Sequence, residues 1–217
     1  MEITIRNANE NDLDFLVEAI YYAEKSGTEI FSYSTIFNLS EEEIKQILRN
    51  IIAENEGYCE LSLDSFLVAE IDNKLVGTVA GWVEAMDEIP SALAKANMLF
   101  SNLPSQAIEN AISLNKILSE IHIERTEHAL QLESIYTNKD FRGKGIAKLL
   151  IDKHIELAKQ KDKTVKIAQI ILADNNSSAI NTYKNAGFEL TLHPKTENKE
   201  ILKYLPSNGK LLMEKKI

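Results

Sequence analysis

The chain has 217 residues, of which 44% are apolar and 26% are charged. These proportions are ordinary for a soluble globular protein, and they exclude a mainly disordered chain. The single cysteine, Cys59, excludes an intrachain disulfide and a zinc site built from several thiolates. No apolar run approaches the roughly 18 residues that cross a bilayer, and residues 1–6 lack the pattern of a signal peptide. We expect one domain over residues 1–217, a cytoplasmic location and no membrane association.

Charge is distributed unevenly along the chain. The formal net charge is −9, which argues against a general nucleic-acid binder. Residues 1–125 carry 22 acidic and 8 basic side chains, whereas residues 126–217 carry 11 acidic and 16 basic ones. This division suits an anionic cofactor in the second part and a cationic substrate in the first, although two solvated surfaces explain it equally well.

The first part of the chain predicts strands and helices in mixed order. Asn9 or Asn11 is suited to cap a first helix, and Ser40 with Glu43 forms the pattern of a capping box for a second one. The aromatic stretch 26–39 has no clean period, so we predict no element there. The expected elements are a strand over 2–6, a helix with apolar residues from 13 to 20, a helix with apolar residues from 44 to 51, and strands over 65–71 and 75–83.

The second part begins with a segment, residues 86–127, that interrupts the series of strands. It contains a predicted helix over 107–121, and we interpret it as a helical insertion that serves as a specificity element or a dimer contact. The alternation of elements indicates an α/β protein with a single mixed sheet flanked by helices. The remaining expected elements are strands over 130–137, 165–173, 188–192 and 210–215, and helices over 146–158 and 176–186.

A glycine-containing loop joins the strand that ends near residue 137 to the following helix. It carries Arg142, Gly143, Lys144 and Gly145 directly before the helix begins. Glycines let backbone N–H groups turn toward one point, and a helix N-terminus adds unsatisfied donors and the positive end of its dipole. The loop therefore predicts a diphosphate site, with a simple tight turn as the alternative. A nucleotide P-loop is disfavoured because its Lys-Ser/Thr pair is missing.

The pattern Arg142-x-x-Gly145-x-Ala147 resembles the acetyl-CoA loop of the GNAT family of N-acetyltransferases. A second segment downstream is similar to that family's Asn-x-x-Ala…Tyr…Gly-Phe signature, and it stands on a predicted strand, helix and strand as the family requires. Its matching residues are Asn176, Ala179, Tyr183, Gly187 and Phe188. The resemblance covers residues 2–8, 65–84 and 128–193, and it does not account for 86–127.

The resemblance implies a mostly antiparallel GNAT fold and acetyl-CoA as co-substrate. The cofactor's pantetheine arm would lie along the open edge of the strand that ends near residue 137, and loop amides would hold the diphosphate. Asn176 would bond the cofactor arm, or would serve only as a helix N-cap. The implied cofactor-binding residues are Ile135, Tyr136, Thr137, Arg142, Gly143, Lys144, Gly145, Ile146, Ala147 and Asn176.

Two side chains are candidates for the proton transfers. Tyr183 matches the tyrosine that often protonates the leaving thiolate in relatives, and the alternative is a tyrosine that only packs in the core. Glu133 stands two residues before Ile135, so we expect both on the same face of their strand. Glu133 is the candidate base, with a water chain as the alternative base and a purely structural ion pair as the alternative role. The four histidines are dispersed, so we expect no metal site.

We therefore expect an N-acetyltransferase that acts on a primary amine by direct attack in a ternary complex. The acceptor class ranges from small amines to a peptide N-terminus, and pairwise association into a homodimer is common in relatives. The alternative is a non-catalytic acyl-CoA-binding or sensor module, which the presence of Tyr183 and Glu133 disfavours. The aromatic side chains of residues 21–37 stand where relatives line the acceptor pocket.

Overall fold

Seven strands form one sheet in the computed structural model, which describes residues 2–217. Every neighbouring pair is antiparallel except the fourth and fifth strands, which are parallel. The expected mixed, mostly antiparallel sheet is therefore confirmed. In the order β1-β2-β3-β4-β5-β7-β6, the strands are β1 (Thr4–Asn7), β2 (Phe66–Ile71), β3 (Lys74–Val83), β4 (Leu130–Thr137), β5 (Ile167–Ala173), β7 (Lys210–Lys216) and β6 (Glu189–Leu192).

Helices cover both faces of this sheet. Within residues 2–217, none is long and apolar enough to cross a membrane. The α-helices are α1 (Leu13–Lys25), α2 (Ser32–Phe37), α3 (Glu41–Glu54), α4 (Ser91–Asn102), α5 (Ser105–Ser113), α6 (Asn115–Leu118), α7 (Ile146–Lys161) and α8 (Ser177–Asn185).

Two capping boxes fix the first helices as the sequence predicts. Just before α1, the Asn9 side chain accepts a hydrogen bond from a backbone N–H, and the Asp12 carboxylate accepts one from the Asn9 N–H. Ser40 and Glu43 make the same reciprocal pair at the start of α3. The short helix α2 was not expected, because its six residues, SYSTIF, carry no helical period.

The insertion is more broken than its sequence suggests. The predicted helical stretch over 107–121 is interrupted at Leu114, where it divides into α5, α6 and a 3₁₀ turn over Ser119–Ile121. An additional helix, α4, precedes it. Pro90 and Pro104 stand immediately before α4 and α5, where a missing N–H costs nothing. The insertion thus consists of short helices that follow the surface of α2 and α3.

Two hydrophobic cores lie on opposite faces of the sheet. The α1-side core joins α1, α3 and α4 to β2 and β3, and the α7-side core joins α7 and α8 to β3, β4, β5 and β7. Fully buried members of the α1-side core include Leu16, Ile20, Phe31, Ile44, Leu48 and Phe66, and those of the α7-side core include Leu130, Leu132, Leu150 and Ile151.

Two glycines on β3 let α7 approach the sheet closely. A side chain at Gly77 would meet Ile146 at 2.9 Å, and one at Gly81 would meet the imidazole of His154 at 2.5 Å. The His154 Nε2 lies 2.9 Å from the carbonyl oxygen of Val79 and donates to it, since a carbonyl can only accept. Burial lowers the pKa of His154 to about 4, so this histidine is a neutral core residue, as its position on the apolar stripe of the helix predicts.

A bulge in β4 changes which side chains share a face. Ser134 has a φ of 50°, and the pairing with β3 shifts between Thr78 and Ala80. Because of the extra residue, Glu133 and Tyr136 face the α1 side, whereas Ile135 packs on the α7-side core. The expectation that Glu133 and Ile135 share a face was therefore wrong, since strict alternation does not survive a bulge.

Candidate active site

A cavity of about 1150 Å³ opens where β4 and β5 separate. The two parallel strands pair only through Leu130 with Ala168 and Gln131 with Gln169, and then diverge. Residues 132–137 of β4 and 170–173 of β5 line the opening. The edge of β4 in this gap has no partner strand, so its backbone donors and acceptors are available to an extended ligand.

The cofactor end of the cavity, as we call it, is built mainly from backbone. Gly143 and Gly145 have φ values of 76° and 77°, in the left-handed region that favours glycine, and Gly145 is the N-cap of α7. A side chain at either position would have nothing within 4 Å, so the loop is open above both. Together with Ile146 and Ala147, these glycines line the cavity, and the first N–H groups of α7 have no partner within the helix.

Basic side chains next to the loop take two different positions. Arg142 lines the cavity, and its Nε donates to the Thr137 carbonyl oxygen at 3.2 Å. The Thr137 carbonyl is therefore already used at the end of β4. Lys144 does not line the cavity, and its Nζ lies 4.6 Å from the centre of the Phe141 ring. Arg142 is thus placed to face an anion in the cleft, whereas the Lys144 side chain is directed elsewhere.

The backbone segment expected to hold the pantetheine arm does line the cavity. Ile135, Tyr136 and Thr137 occupy the β4 side of the gap. The ring of Tyr136 stacks on Tyr22 of α1 with centroids 5.6 Å apart, and Phe15 meets it edge-on. These aromatic contacts fix the α1 side of the diverging strand.

Asn176 is the N-cap of α8, which is one of the two roles considered for it. Its Oδ1 accepts from the Ala179 N–H at 3.1 Å, which caps α8, and its Nδ2 donates to Ser26 Oγ at 3.1 Å. The side chain also lines the cavity. Asn176 therefore ties the start of α8 to the end of α1 across the cleft.

Tyr183 stands on α8 with its side chain in the α7-side core, 7% exposed, and it lines the cavity. Its hydroxyl has no hydrogen-bond partner within residues 2–217. Burial raises the pKa of Tyr183 above its ordinary value, so the phenol keeps its proton at neutral pH. The residue therefore packs in the core, forms part of the cavity wall and keeps its phenolic proton.

The acceptor end, as we call the other end of the cavity, contains a buried network of charges. Arg125 pairs with Glu133 and lies 3.5 Å from Glu60, and Lys95 lies 2.7 Å from the same Glu60 oxygen. The second oxygen of Glu60 and the Nε of Arg125 are buried without a partner. All four residues line the cavity.

The pKa values of the two carboxyl groups in this network are shifted in opposite directions. Burial would raise the pKa of Glu60, but Lys95 and Arg125 more than offset it and hold the pKa below the usual range. Burial raises the pKa of Glu133, Arg125 opposes this only in part, and the nearby Glu60 charge adds to the rise. Arg125 contacts one oxygen of Glu133, and the other has no partner among the described residues.

Lys95 and Arg125 were missed by sequence reasoning, although both belong to the 86–127 insertion. Lys95 stands on α4, and Arg125 stands just before β4 with its guanidinium 5.3 Å from the centre of the Trp82 ring. No motif marks either residue. The one available signal was the presence of cations in an otherwise acidic half of the chain.

The long β6–β7 connection closes the acceptor end. Its Ile201 and Leu205 pack against Ile121 of the insertion. Asp174, just after β5, holds this connection by hydrogen bonds. Its carboxylate accepts from the Ser207 hydroxyl and lies 2.9 Å from the Nε2 of His193. Burial would raise the pKa of Asp174, but these hydrogen bonds lower it.

Among residues 2–217, no group of three potential metal ligands is present.

Comparison with known proteins identifies the family. The profile of the acetyltransferase (GNAT) family matches residues 33–188. The chain is 27% identical over 189 residues, 86% of its length, to an uncharacterized N-acetyltransferase of Methanocaldococcus jannaschii, and it spans 60% of that relative.

Solved structures share the architecture over nearly the whole chain. An N-acetyltransferase from Staphylococcus aureus superimposes with a TM-score of 0.66 at 17% identity, covering 98% of this chain and 100% of that one. The PaiA N-acetyltransferase of Thermoplasma acidophilum, in complex with coenzyme A, superimposes with a TM-score of 0.53 at 19% identity over 100% of both chains. The protein belongs to the GNAT family.

Proposed function

We propose that the protein transfers an acetyl group from acetyl-CoA to a primary amine by direct attack in a ternary complex. The observation that carries this proposal is one continuous cavity. It is lined by the loop and first residues of α7, by Tyr183 and by Glu133. We assign a diphosphate site, a proton donor and a proton acceptor to these three parts of its wall, since two reactants must be held together for the transfer.

The cofactor end fits acetyl-CoA by its chemistry. Open positions above Gly143 and Gly145, the N-terminus of α7 and the Arg142 guanidinium suit a diphosphate. The unpaired edge of β4 suits an extended arm that carries amide groups. Acetyl-CoA, when bound, supplies a thioester whose acetyl carbon is open to attack by an amine.

Two side chains carry the protons in this proposal. The raised pKa of Tyr183 keeps its hydroxyl protonated, so it can give a proton to the departing thiolate. The raised pKa of Glu133 makes its carboxylate a stronger proton acceptor than an ordinary glutamate, either directly or through a water. Arg125 holds Glu133 in place through the other carboxylate oxygen.

The test is a panel of primary amines assayed for release of free CoA, with Tyr183→Phe beside the wild type. Losing the general acid is expected to lower kcat by about 100-fold or more, with acetyl-CoA affinity unchanged. Tyr204→Phe is the control, because Tyr204 does not line the cavity, and it should keep kcat.

Two results would contradict the proposal. Tight acetyl-CoA binding without CoA release for any amine would favour the non-catalytic acyl-CoA module. A Tyr183→Phe enzyme as fast as wild type would remove the general-acid role. Glu133→Gln distinguishes Glu133 from a water chain as the base. If the acidic limb of the pH profile of kcat/KM is lost in this variant, Glu133 is the base; if the limb is retained, a water chain is the base.

A further inference from the structure

Six charged side chains line the acceptor end, and five of them form an ion pair or a hydrogen bond with another side chain of the described residues. Glu60 is shared by Lys95 and Arg125, and Arg125 also pairs with Glu133. The Glu24 carboxylate accepts from the Ser32 hydroxyl. The six are Glu24, Glu60, Glu133, Lys95, Arg125 and Lys210.

Lys210 is the exception. It is the first residue of β7, opposite Ala173 at the end of β5 where the cleft opens, and its side chain is half-buried in the cavity wall. Its backbone N–H bonds to the Pro194 carbonyl oxygen, but its ammonium forms no ion pair or hydrogen bond within residues 2–217. A half-buried cation that makes no ion pair is less stable than one in water, and a ligand anion would improve its stability.

The surrounding charges do not supply this compensation. Burial lowers the pKa of Lys210, and Lys95 and Arg125 lower it further, although Glu24 and Glu133 act in the opposite direction. The balance is a lowered pKa, which means that the charged ammonium is less stable here than in water. An anion placed beside Lys210 would remove that penalty.

We infer that Lys210 binds a carboxylate of the acceptor, so that the acceptor is a primary amine that also carries a carboxylate, such as an amino acid or a short peptide with a free C-terminus. This inference rests on the proposed function and specifies its substrate class. The positive charges of Lys95 and Arg125 are already shared with Glu60 and Glu133, whereas the Lys210 ammonium pairs with no carboxylate of the described residues. The amine of the same molecule would lie toward Glu133, whose second oxygen has no partner among the described residues.

The experiment compares acceptors that differ only in the distal charge. ω-Amino acids with three to five carbons, dipeptides, and the amides of both are titrated into the enzyme saturated with CoA, and the same pairs are assayed for CoA release with acetyl-CoA. For the wild type, we expect the acid of at least one pair to bind about 10- to 100-fold more tightly than its amide, the range for a charge-assisted hydrogen bond.

Variants at Lys210 assign this preference to the residue. Lys210→Met should abolish the preference for the acid and leave affinity for the amide unchanged, whereas Lys210→Arg should restore most of it. Lys216→Met is the matched control, because Lys216 is an exposed lysine at the opposite end of the same strand. This control should keep the full preference.

The binding and turnover readouts separate two kinds of failure. Equal affinity for every acid and its amide in the wild type, or a preference that survives Lys210→Met, would overturn the inference while leaving acetyl transfer intact. Preferential binding of the acid without any CoA release would support the Lys210 site and contradict the proposed function instead.

Discussion

The two ends of the cavity are built in different ways. The cofactor end consists of backbone groups presented by a loop, a helix N-terminus and a strand edge, all within residues 132–147. The acceptor end consists of side chains from distant segments, with Glu60, Lys95, Arg125 and Lys210 brought together across 150 positions of sequence. Main-chain geometry is local and leaves a motif in the sequence, whereas a side-chain network exists only once the chain has folded.

This difference also predicts different sensitivities. Substitutions at the acceptor end act through buried charge, where losing one partner leaves the other uncompensated. Substitutions at the cofactor end act through backbone strain or exposed charge, where the energies are smaller. The substitutions below test this contrast and compare it with a buried group outside the cavity, in order of decreasing change in free energy.

Arg125→Met should be the most damaging change. It leaves the buried Glu60 with only Lys95 and leaves Glu133 with no cation, so we expect a loss of about 3–5 kcal/mol in the free energy of unfolding. Urea denaturation measures this loss. CoA affinity of the folded fraction should stay unchanged, since the cofactor end does not contact Arg125.

Arg49→Met is the control for removing an arginine from an ion pair. Its partner Asp14 is 86% exposed, so the loss should be within about 1 kcal/mol. Equal losses for the two variants would contradict the claim that the acceptor-end network is energetically distinct.

His154 makes the packing of α7 on β3 depend on pH. Its pKa is about 4 in the folded protein and 6.5 in the reference state, so between these values the unfolded chain binds a proton that the folded chain does not. Stability from this group is complete above pH 6.5 and decreases as the pH falls to 4, by about 3 kcal/mol in total.

Denaturation at pH 7.5 and pH 4.5 measures this dependence. His154→Gln keeps a donor for the Val79 carbonyl and should flatten the difference between the two pH values. His122→Gln, which removes an exposed imidazole, is the control and should retain the wild-type difference. A His154→Gln protein with an unchanged pH dependence would show that α7 packing does not depend on a neutral imidazole.

Gly145→Ala tests the backbone geometry of the loop. At φ 77° an alanine costs about 1–2 kcal/mol, and nothing near the new methyl group clashes, so strain is the whole effect. We expect CoA affinity, measured by calorimetry, to fall about tenfold as the loop relaxes. Gly187→Ala has similar strain at φ 88° outside the cavity and should leave CoA affinity unchanged.

Lys144→Ala should have the smallest effect. The Lys144 ammonium lies over Phe141 and outside the cavity, and an exposed charge contributes less than about 1 kcal/mol, so CoA affinity should fall about fivefold or less. Arg142→Ala should cost more, because Arg142 lines the cavity. A larger loss of CoA affinity for Lys144→Ala than for Arg142→Ala, measured by calorimetry, would contradict this prediction and show that Lys144 is the side chain that contacts the bound ligand.

Local sequence patterns predicted the order of most strands and helices along the chain, a helix cap at Asn9 or Asn11, the capping box at Ser40 and the loop from Arg142 to Ala147. These features depend on neighbours a few residues apart, so local propensity and spacing carry them. Asn176 and Tyr183 were predicted from the resemblance to the GNAT signature, and the structure places both in the cavity wall.

The face of Glu133 and the composition of the acceptor end depend on how distant segments pack in the folded protein. The bulge at Ser134 moved Glu133 to the face of Tyr136, because a strand's register depends on its partner strand. The insertion brought Lys95 and Arg125 to the acceptor end, and β7 brought Lys210 there. Long-range ion pairs and cavity walls depend on how whole helices and strands pack, and no spacing within the sequence encodes that packing.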